Sequence, residues 1–390
     1  MPPSLPFGAE FLRHDWPLLL ACCSIPRDPA KIESLAREIR LSESLLGLAG
    51  AHGVVGHLAL ALAGVPDELS CSPLLQSLTA RHRAHLLSTL TLTAELFRIL
   101  ELFRQSAVEF LVVKGPVLAL RAYGDPGARQ YADIDMLVRD ADIPRAAEIF
   151  VATGYQSRVS VAAIQAGKIP GEYRFRREGS GTIFELHTER TLRYFPSSLP
   201  VEKYFQEKTV LPLDGYSVPA LSAEHEFVLI SIHGATHFWE RLMWIADIAA
   251  FVHNRTEVDW NRVRGYAMEV GAERMVRLAV VLAERLLRVP VPAVLHADVA
   301  RDLRCARLAC AIESWLPFAG YAPPPLMERV KFRFHMPGGF LQGVSYLARL
   351  SFSPTEDDWS DEGTSPHSRA GEVFRRSLRL ARKYRRTPEQ

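Results

Sequence analysis

The sequence predicts an α+β protein in which a small mixed β-sheet is flanked by N- and C-terminal helical regions. Apolar residues recur at helical spacing throughout residues 30–106, and the same spacing returns after Ser222. Between these stretches, short β-branched runs bounded by turn residues indicate strands. The chain therefore divides into an N-terminal helical region (1–106), an α/β core (107–220), a C-terminal helical domain (221–350), and an acidic linker with a basic terminal helix (351–390).

The composition is that of an ordinary globular protein. The chain has 390 residues, of which 48% are hydrophobic and 23% charged, and its formal net charge of +2 gives no overall field that favours nucleic acid. The five cysteines form neither a CxxC pair nor an even framework, which is typical of a reduced protein. The N-terminus lacks the basic segment of a secretory signal, and no apolar run reaches the roughly 18 residues of a membrane span. We expect a cytoplasmic protein.

The predicted core begins with the strand VEFLVVKG and continues with the helix PVLALRAYG, which has a favourable proline in its first turn. The strand YADIDMLV follows, and then a helix that ends at Gly154. EYRFRREGSGTIFELHTE indicates a hairpin around EGSG, and KTVLPLDGYSVPAL indicates a third β-run. Beyond this core the helical spacing predicts helices at 222–238, 241–254, 258–287, 294–316 and 325–350.

Two aspartates interrupt the otherwise apolar strand YADIDMLV. Asp133 and Asp135 are two residues apart, so both side chains leave the same face of the strand. Ile134, Met136 and Val138 take the other face, toward the core. Two like charges this close raise one pKa strongly unless a cation lies between them. The spacing therefore predicts a site for Mg²⁺, with Mn²⁺ as the alternative; an exposed strand end that carries two aspartates by chance is the competing interpretation.

The predicted hairpin supplies a third carboxylate. Glu185 shares one strand face with Ile183 and His187, while Phe184 and Leu186 share the other. Two metal ions about 3.5–4 Å apart align an attacking hydroxyl with a phosphate and stabilise the leaving group. The predicted catalytic and metal-binding residues are Asp133, Asp135 and Glu185.

A glycine turn that leads into a helix precedes the aspartates. Lys114 and Gly115 end the first predicted strand, and Pro116 opens the helix. Free N–H groups and the positive end of the helix dipole favour phosphate at such a position, and Lys114 adds a point charge for a triphosphate. The competing interpretation is a structural turn whose lysine faces water.

The segment from residue 110 to residue 155 resembles the uncharacterised nucleotidyltransferases of the DNA polymerase β superfamily. The shared pattern is a strand with Lys-Gly, a helix, Tyr-Gly-Asp, Arg, Asp-Ile-Asp with Leu-Val, a helix and Gly-Tyr. In this chain the pattern corresponds to Lys114-Gly115, Tyr123-Gly124-Asp125, Arg129, Asp133-Ile134-Asp135, Leu137-Val138 and Gly154-Tyr155. The later elements are Glu185-Leu186-His187 and a helical motif with His233, His237, Trp239, Trp244 and Asp247.

This resemblance covers about residues 107–255 and implies a nucleotidyltransferase palm with helical flanks, but it does not imply a substrate. The nucleotide expected at Lys114 and the Gly115 turn is a nucleoside triphosphate (NTP). The wider superfamily usually has Gly-Ser where this chain has Lys114-Gly115, so we expect different phosphate contacts. The third acid is Glu185 rather than the shorter aspartate common in that superfamily. The residues expected to bind the nucleotide and its metal, beside the three acids, are Lys114, Gly115, Arg129, His187, His233 and His237.

Several of these residues have alternative interpretations. His233 and His237 lie on one helix face. They are expected to line the cleft or to orient the acids, and packing in the core is the alternative. A zinc site is disfavoured because Gly234 stands where the HExxH motif has glutamate. Arg129 precedes the acids and suits bidentate phosphate binding. For Arg121 an exposed helix position is expected.

Basic residues elsewhere are open to similar alternatives. If the hairpin register allows, Arg174 and Arg176 share the strand face of Glu185. They then contact the nucleotide or the acceptor; the alternative is that this face of the hairpin is exposed to solvent. The basic C-terminal helix suits RNA, acidic peptide or a membrane surface, or pairs with the acidic segment 356–362. Its basic residues are Arg375, Arg376, Arg379, Arg382, Lys383, Arg385 and Arg386.

The predicted function is metal-dependent transfer of a nucleoside monophosphate (NMP) from an NTP to an acceptor hydroxyl, with release of pyrophosphate. A small molecule or peptide natural product is the favoured acceptor; a protein side chain and an RNA end are further options. The alternatives are a non-catalytic nucleotide-binding or antitoxin-like scaffold and a phosphotransferase that uses the γ-phosphate. The sequence contains no P-loop and no HRD or DFG set. Spacing does not identify the base of the NTP, the acceptor or the oligomeric state.

Overall fold

The computed structural model describes residues 13–38, 43–64, 73–165, 171–188, 199–322 and 324–352. Within these ranges the N-terminal region is helical, as predicted. Its helices are α1 (Asp15–Cys23), α2 (Pro29–Glu38), α3 (Glu43–Ala51), α4 (Val55–Leu62) and α5 (Pro73–Gln105). Apart from its first two residues, the predicted acidic linker and basic terminal helix lies outside the described residues.

A seven-stranded mixed β-sheet with the strand order β3-β4-β5-β2-β1-β7-β6 forms the centre of the protein. Its strands are β1 (Phe110–Val112), β2 (Ile134–Val138), β3 (Tyr155–Ser157), β4 (Glu172–Arg177), β5 (Ile183–His187), β6 (Thr209–Leu213) and β7 (Tyr216–Ala220). The helices between them are α6 (Pro116–Tyr123), α7 (Ile143–Ala152), α8 (Val161–Gln165) and α9 (Val201–Gln206). β2 pairs in parallel with β5, whereas β1 pairs antiparallel with β2. The predicted α+β class and mixed sheet are confirmed.

Two details of the sheet differ from the prediction. The third β-run is not one strand but the hairpin β6–β7, which turns at Asp214 and Gly215, both with positive φ. An aspartate-glycine pair between alternating runs is a strong hairpin signal that explains this turn. The short edge strand β3 was not predicted; it pairs antiparallel with β4.

The C-terminal domain is helical, as predicted, but it contains more breaks. Its helices are α10 (Ala223–Thr236), α11 (Leu242–Asn254), α12 (Trp260–Val270), α13 (Glu273–Leu287), α14 (His296–Arg301), α15 (Leu303–Trp315), α16 (Leu326–His335) and α17 (Phe340–Phe352). Gly271, in a left-handed conformation, divides the predicted helix 258–287. Asp302 caps α15 by accepting a hydrogen bond from the Cys305 N–H, which divides 294–316. Among the described residues, no helix is long and apolar enough to cross a membrane.

The two faces of the sheet bury separate cores. Ile134, Met136 and Val138 point into one of them, as predicted, and pack there with Phe150 of α7. Leu137 points the other way and joins a second core that contains residues from both the N- and C-terminal helical regions. Because side chains alternate along a strand, the central aspartate of β2 lies on this second face, beneath the C-terminal helices. The site is therefore between the sheet and those helices. The second core contains residues from the N-terminal region, the α/β core and the C-terminal domain, and the domain boundaries stay a prediction.

One tight contact in α10 gives a stability prediction. A Cβ added at Gly234 would lie 2.5 Å from the ring of Trp239, which is fully buried. We expect Gly234→Ala to lower the free energy of unfolding by about 1–3 kcal/mol, since overpacking outweighs the better helix propensity of alanine. Gly265→Ala in α12 is the matched control, because nothing lies within 4 Å of its added Cβ. Urea denaturation of both variants tests this; equal stability of the two variants would contradict it.

Candidate active site

Three side chains converge where β2 and β5 run in parallel. The register places Asp135 opposite Glu185 and Leu137 opposite His187, so both residues of β5 face the same side as Asp135. His187 Nε2 lies 2.8 Å from Asp135 Oδ1 and 3.9 Å from Glu185 Oε2. One possible ligand atom from each of the three residues lies within 4.8 Å of the others. The cluster is largely buried on the face of the sheet that packs against the C-terminal helices.

Lys114 joins this cluster instead of facing water. Its Nζ lies 3.0 Å from Asp135 Oδ1 and 3.3 Å from His233 Nδ1, and its side chain is only 16% exposed. Gly115 follows with φ 63° and ψ −130°, a conformation that is essentially restricted to glycine. The chain then enters α6 with Pro116 in the first turn. The turn thus directs the lysine toward the acids and leaves a helix N-terminus beside them.

Asp133 stands apart from the tight cluster. It immediately precedes β2, is half-buried, and forms no hydrogen bond or ion pair within the described part of the chain. It also lies outside the group of three residues whose ligand atoms converge. The structure therefore brings together two of the three predicted metal ligands, Asp135 and Glu185, and adds His187. Metal binding by Asp133 stays a prediction.

The charges in this site influence one another strongly. Burial opposes ionisation of Asp135, but Lys114 and His187 outweigh it and lower the pKa of Asp135. Burial and the nearby Asp135 charge raise the pKa of both Asp133 and Glu185. Burial acts against protonation of His187, yet its contact with Asp135 raises the pKa of the imidazole. The site thus holds one firmly ionised carboxylate and two that accept protons more readily than usual.

The predicted helical histidines form a wall beside Lys114. The rings of His233 and His237 are 4.7 Å apart, and each is 5.3 Å from the ring of Trp244 on α11. The Arg241 guanidinium carbon lies 5.9 Å from the centre of the Trp244 ring. Within the described ranges, these histidines do not belong to any group of three ligands that could hold a metal ion. His233, His237 and Trp244 are called the histidine wall below, and their position in a substrate cleft stays a prediction.

Arg129 occupies a buried structural position. Its Nε donates to Asp247 Oδ2 at 2.8 Å, and both side chains are nearly inaccessible. The Tyr123 hydroxyl donates to the other oxygen of Asp247 at 3.0 Å. Three elements of the family pattern, distant in sequence, thus meet in one buried network that joins α6 to α11. Direct phosphate binding by Arg129 stays a prediction, whereas its observed contacts fix the helices around the site.

The expected exposed position of Arg121 is wrong. Arg121 is only 5% exposed; it donates to Glu226 on α10, to the Thr209 hydroxyl at 2.9 Å and to the Leu221 carbonyl at 2.8 Å. A helix-face pattern alone did not indicate these partners, which lie some hundred residues further along the chain. The arginine ties α6 to the start of the C-terminal domain.

The hairpin register places Arg174 opposite Glu185 and Arg176 opposite Ile183, so both arginines share the face of the third acid. Arg174 Nε donates to Glu185 Oε1 at 2.7 Å. The sequence indicated the shared face but not this ion pair. Glu185 therefore has one oxygen engaged by Arg174, while its other oxygen faces His187.

The converging donors suit a divalent cation. Asp135, Glu185 and His187 provide two carboxylates and an imidazole. Mn²⁺ binds both kinds of ligand readily, whereas Mg²⁺ prefers the carboxylate oxygens. Phosphate oxygens and water complete such sites in phosphoryl-transfer proteins. A positive charge already lies at Asp135 in the form of Lys114. The residues fit a metal ion that binds together with a substrate.

The mixed sheet, the lysine-glycine turn and the acidic cluster define a nucleotidyltransferase class of protein. A family model described as "Uncharacterised nucleotidyltransferase" matches residues 41–288, and the chain belongs to this family. A solved structure described as an antigenic nucleotidyltransferase-like protein from Paracoccidioides brasiliensis shares 17% identity over 50% of this chain and 90% of that chain, with a TM-score of 0.29. No curated protein matches the chain. Family membership supports a transferase with an NTP substrate.

Proposed function

We propose that this protein is a divalent-metal-dependent nucleotidyltransferase that transfers an NMP from an NTP to an acceptor hydroxyl and releases pyrophosphate. The observation that carries the proposal is the meeting of Asp135, Glu185 and His187 on adjacent parallel strands, with Lys114 against Asp135. Family membership supports the reaction class. Mg²⁺ or Mn²⁺ is the proposed cofactor, and a small molecule or a peptide is the proposed acceptor.

The chemistry follows from the positions of these groups. A divalent cation held by Asp135 and His187 would polarise the α-phosphate and stabilise the charge of the departing pyrophosphate, which leaves Glu185 available to act as a base. Glu185, whose pKa is raised chiefly by burial and then by Asp135, accepts the proton of the acceptor hydroxyl. The acceptor oxygen forms a bond to the α-phosphorus as the bond from that phosphorus to the bridging oxygen breaks. Lys114 meets the phosphates, and the proton stays on Glu185 until solvent removes it.

Two arginines near the histidine wall provide further positive charge for a polyphosphate. Arg241 is exposed beside Trp244, and the Arg333 guanidinium carbon lies 4.7 Å from the centre of the Phe238 ring. Neither arginine has a carboxylate partner in an ion pair within the part of the chain that the structure describes. Desolvation and then Lys114 lower the pKa of His237; Glu172 opposes this shift, and Arg241 and Arg333 add to it. The wall therefore favours the β- and γ-phosphates.

We expect Arg241→Ala and Arg333→Ala each to weaken NTP binding about 10- to 100-fold, since a charge-assisted contact contributes about 1.5–3 kcal/mol. Binding of the corresponding NMP should change little, because it lacks the two outer phosphates. Arg301→Ala, an exposed position on α14, is the matched control. Fluorescence titration with NTP and NMP measures both affinities. An equal loss for NTP and NMP would contradict a role at the outer phosphates.

The reaction class is tested by identifying the phosphorus products. Wild-type protein, NTP and Mg²⁺ or Mn²⁺ are incubated with pooled small-molecule and peptide fractions, and phosphorus-31 NMR follows the release. Pyrophosphate, together with an acceptor heavier by one NMP, is the expected result. A nucleoside diphosphate as product would support the phosphotransferase alternative. Metal-dependent nucleotide binding without any product would support the scaffold alternative.

A further inference from the structure

Asp135 Oδ1 is contacted by two groups that compete with a metal ion for the same oxygen. Lys114 Nζ lies 3.0 Å from this atom, and His187 Nε2 lies 2.8 Å from it. Asp135 is 2% exposed, so water does not compensate its charge. A cation that binds this oxygen either displaces the ammonium group or shares the carboxylate with it. Sharing costs free energy, because the cation and the ammonium group carry like charges.

We infer that Lys114 occupies the place of the divalent cation on Asp135 while no nucleotide is bound and moves to the phosphates when NTP arrives, so that one ammonium group couples metal binding to nucleotide binding. This inference rests on the proposed function and adds to it a role for Lys114 before the reaction. Besides meeting the phosphates, the lysine keeps the acidic cluster neutralised between reaction cycles.

The second partner of Lys114 supports this movement. His233 Nδ1, on α10, lies 3.3 Å from the ammonium nitrogen that also contacts Asp135. An ammonium group has only protons to donate, so Nδ1 acts as the acceptor. From His233 the wall continues through His237 and Trp244 to Arg241. Lys114 is thus already held between the carboxylates and the wall proposed for the phosphates.

The charge balance explains why the two binding events are coupled. Asp133, Asp135 and Glu185 lie near Lys114, and all three raise its pKa although burial opposes protonation. Without NTP, the ammonium group repels a divalent ion from these acids. With NTP, the phosphates attract Lys114, and the carboxylates become free for the ion. NTP and metal ion therefore increase each other's affinity through a shared group, as linkage requires.

Mn²⁺ binding without catalysis tests the inference. Electron paramagnetic resonance measures the affinity for Mn²⁺ alone in wild type and in Lys114→Met, which removes the charge and keeps a side chain of similar length. We expect the variant to bind Mn²⁺ at least about tenfold more tightly, because a repulsive charge a few ångströms away has been removed. Lys114→Arg, which retains the charge, should remain close to wild type. Lys203→Met, at an ion pair with Glu269, controls for a general charge effect.

The coupling itself is measured by repeating the Mn²⁺ titration with the α,β-methylene analogue of the NTP that wild type binds best. The analogue should tighten Mn²⁺ binding more in wild type than in Lys114→Met. Unchanged or weaker binding of Mn²⁺ by a folded Lys114→Met variant would overturn the inference, and Lys114→Gln repeats the test if the first variant unfolds. Absence of Mn²⁺ binding by wild type, with and without every analogue, would instead overturn the proposed metal-dependent function.

Discussion

Replacement of Arg129 by methionine is expected to lower the free energy of unfolding by about 3–5 kcal/mol, the usual cost of removing one partner from a buried ion pair. The substitution leaves the Asp247 carboxylate buried, with the Tyr123 hydroxyl as its remaining partner. Burial already raises the pKa of Asp247, and Arg129 is the main group that acts against this rise. Urea denaturation followed by circular dichroism measures the loss.

Two further variants separate this effect from a general loss of charge. The double variant Arg129→Met, Asp247→Leu removes both charges and should recover much of the lost stability. Arg37→Met breaks an ion pair whose side chains are 49% and 39% exposed, and it should cost less than about 1 kcal/mol. Wild-type stability of Arg129→Met would contradict the structural role of the buried network.

The second large effect is expected in catalysis. Glu185→Gln should lower kcat by about 10²–10⁴-fold, because the amide cannot accept the proton of the acceptor hydroxyl. The pKa of Glu185 is raised above its ordinary value, so wild-type activity should fall as the pH drops through that raised pKa and the carboxylate becomes protonated. This acidic limb should be absent from the residual activity of the glutamine variant. Pyrophosphate release measured between pH 4.5 and 8 gives both results.

Asp133→Asn is the comparison for this prediction, since Asp133 is the other acid whose pKa is raised by burial and by Asp135. It should retain the acidic limb if Glu185 is the base. A profile that loses its acidic limb in Asp133→Asn and keeps it in Glu185→Gln would assign proton removal to Asp133 instead.

Local patterns predicted which strand faces meet at the candidate site. Alternation along two strands identified the shared face of Asp135 and the shared face of Glu185 and His187, and the parallel pairing of β2 with β5 brings these faces together. The glycine turn with Pro116 was also evident, since its conformation depends on neighbouring residues only. The ion pair of Lys114 with Asp135 was not predicted, because it depends on the orientation of the Lys114 side chain relative to β2, and local patterns do not specify that orientation.

Long-range partners explain the remaining differences. Arg121 was expected on an exposed helix face, yet its partners come from β6 and α10 and from the segment before that helix. Helical periodicity identifies which face is apolar, but not which polar residues another element will cover. Breaks inside the predicted C-terminal helices depend on a single cap, such as Asp302, that periodicity over a long window does not detect.

Isothermal titration of ATP, GTP, CTP and UTP against wild type and Asp135→Asn, each with and without Mg²⁺, tests the proposed site most directly. Asp135 contacts Lys114 and His187 and belongs to the converging ligand group, so it is the residue on which the site depends most. The expected result is Mg²⁺-dependent binding of at least one NTP by wild type and its loss in a folded Asp135→Asn variant. Absence of NTP binding by wild type, or equal Mg²⁺-dependent affinity in both proteins, would contradict the proposed active site.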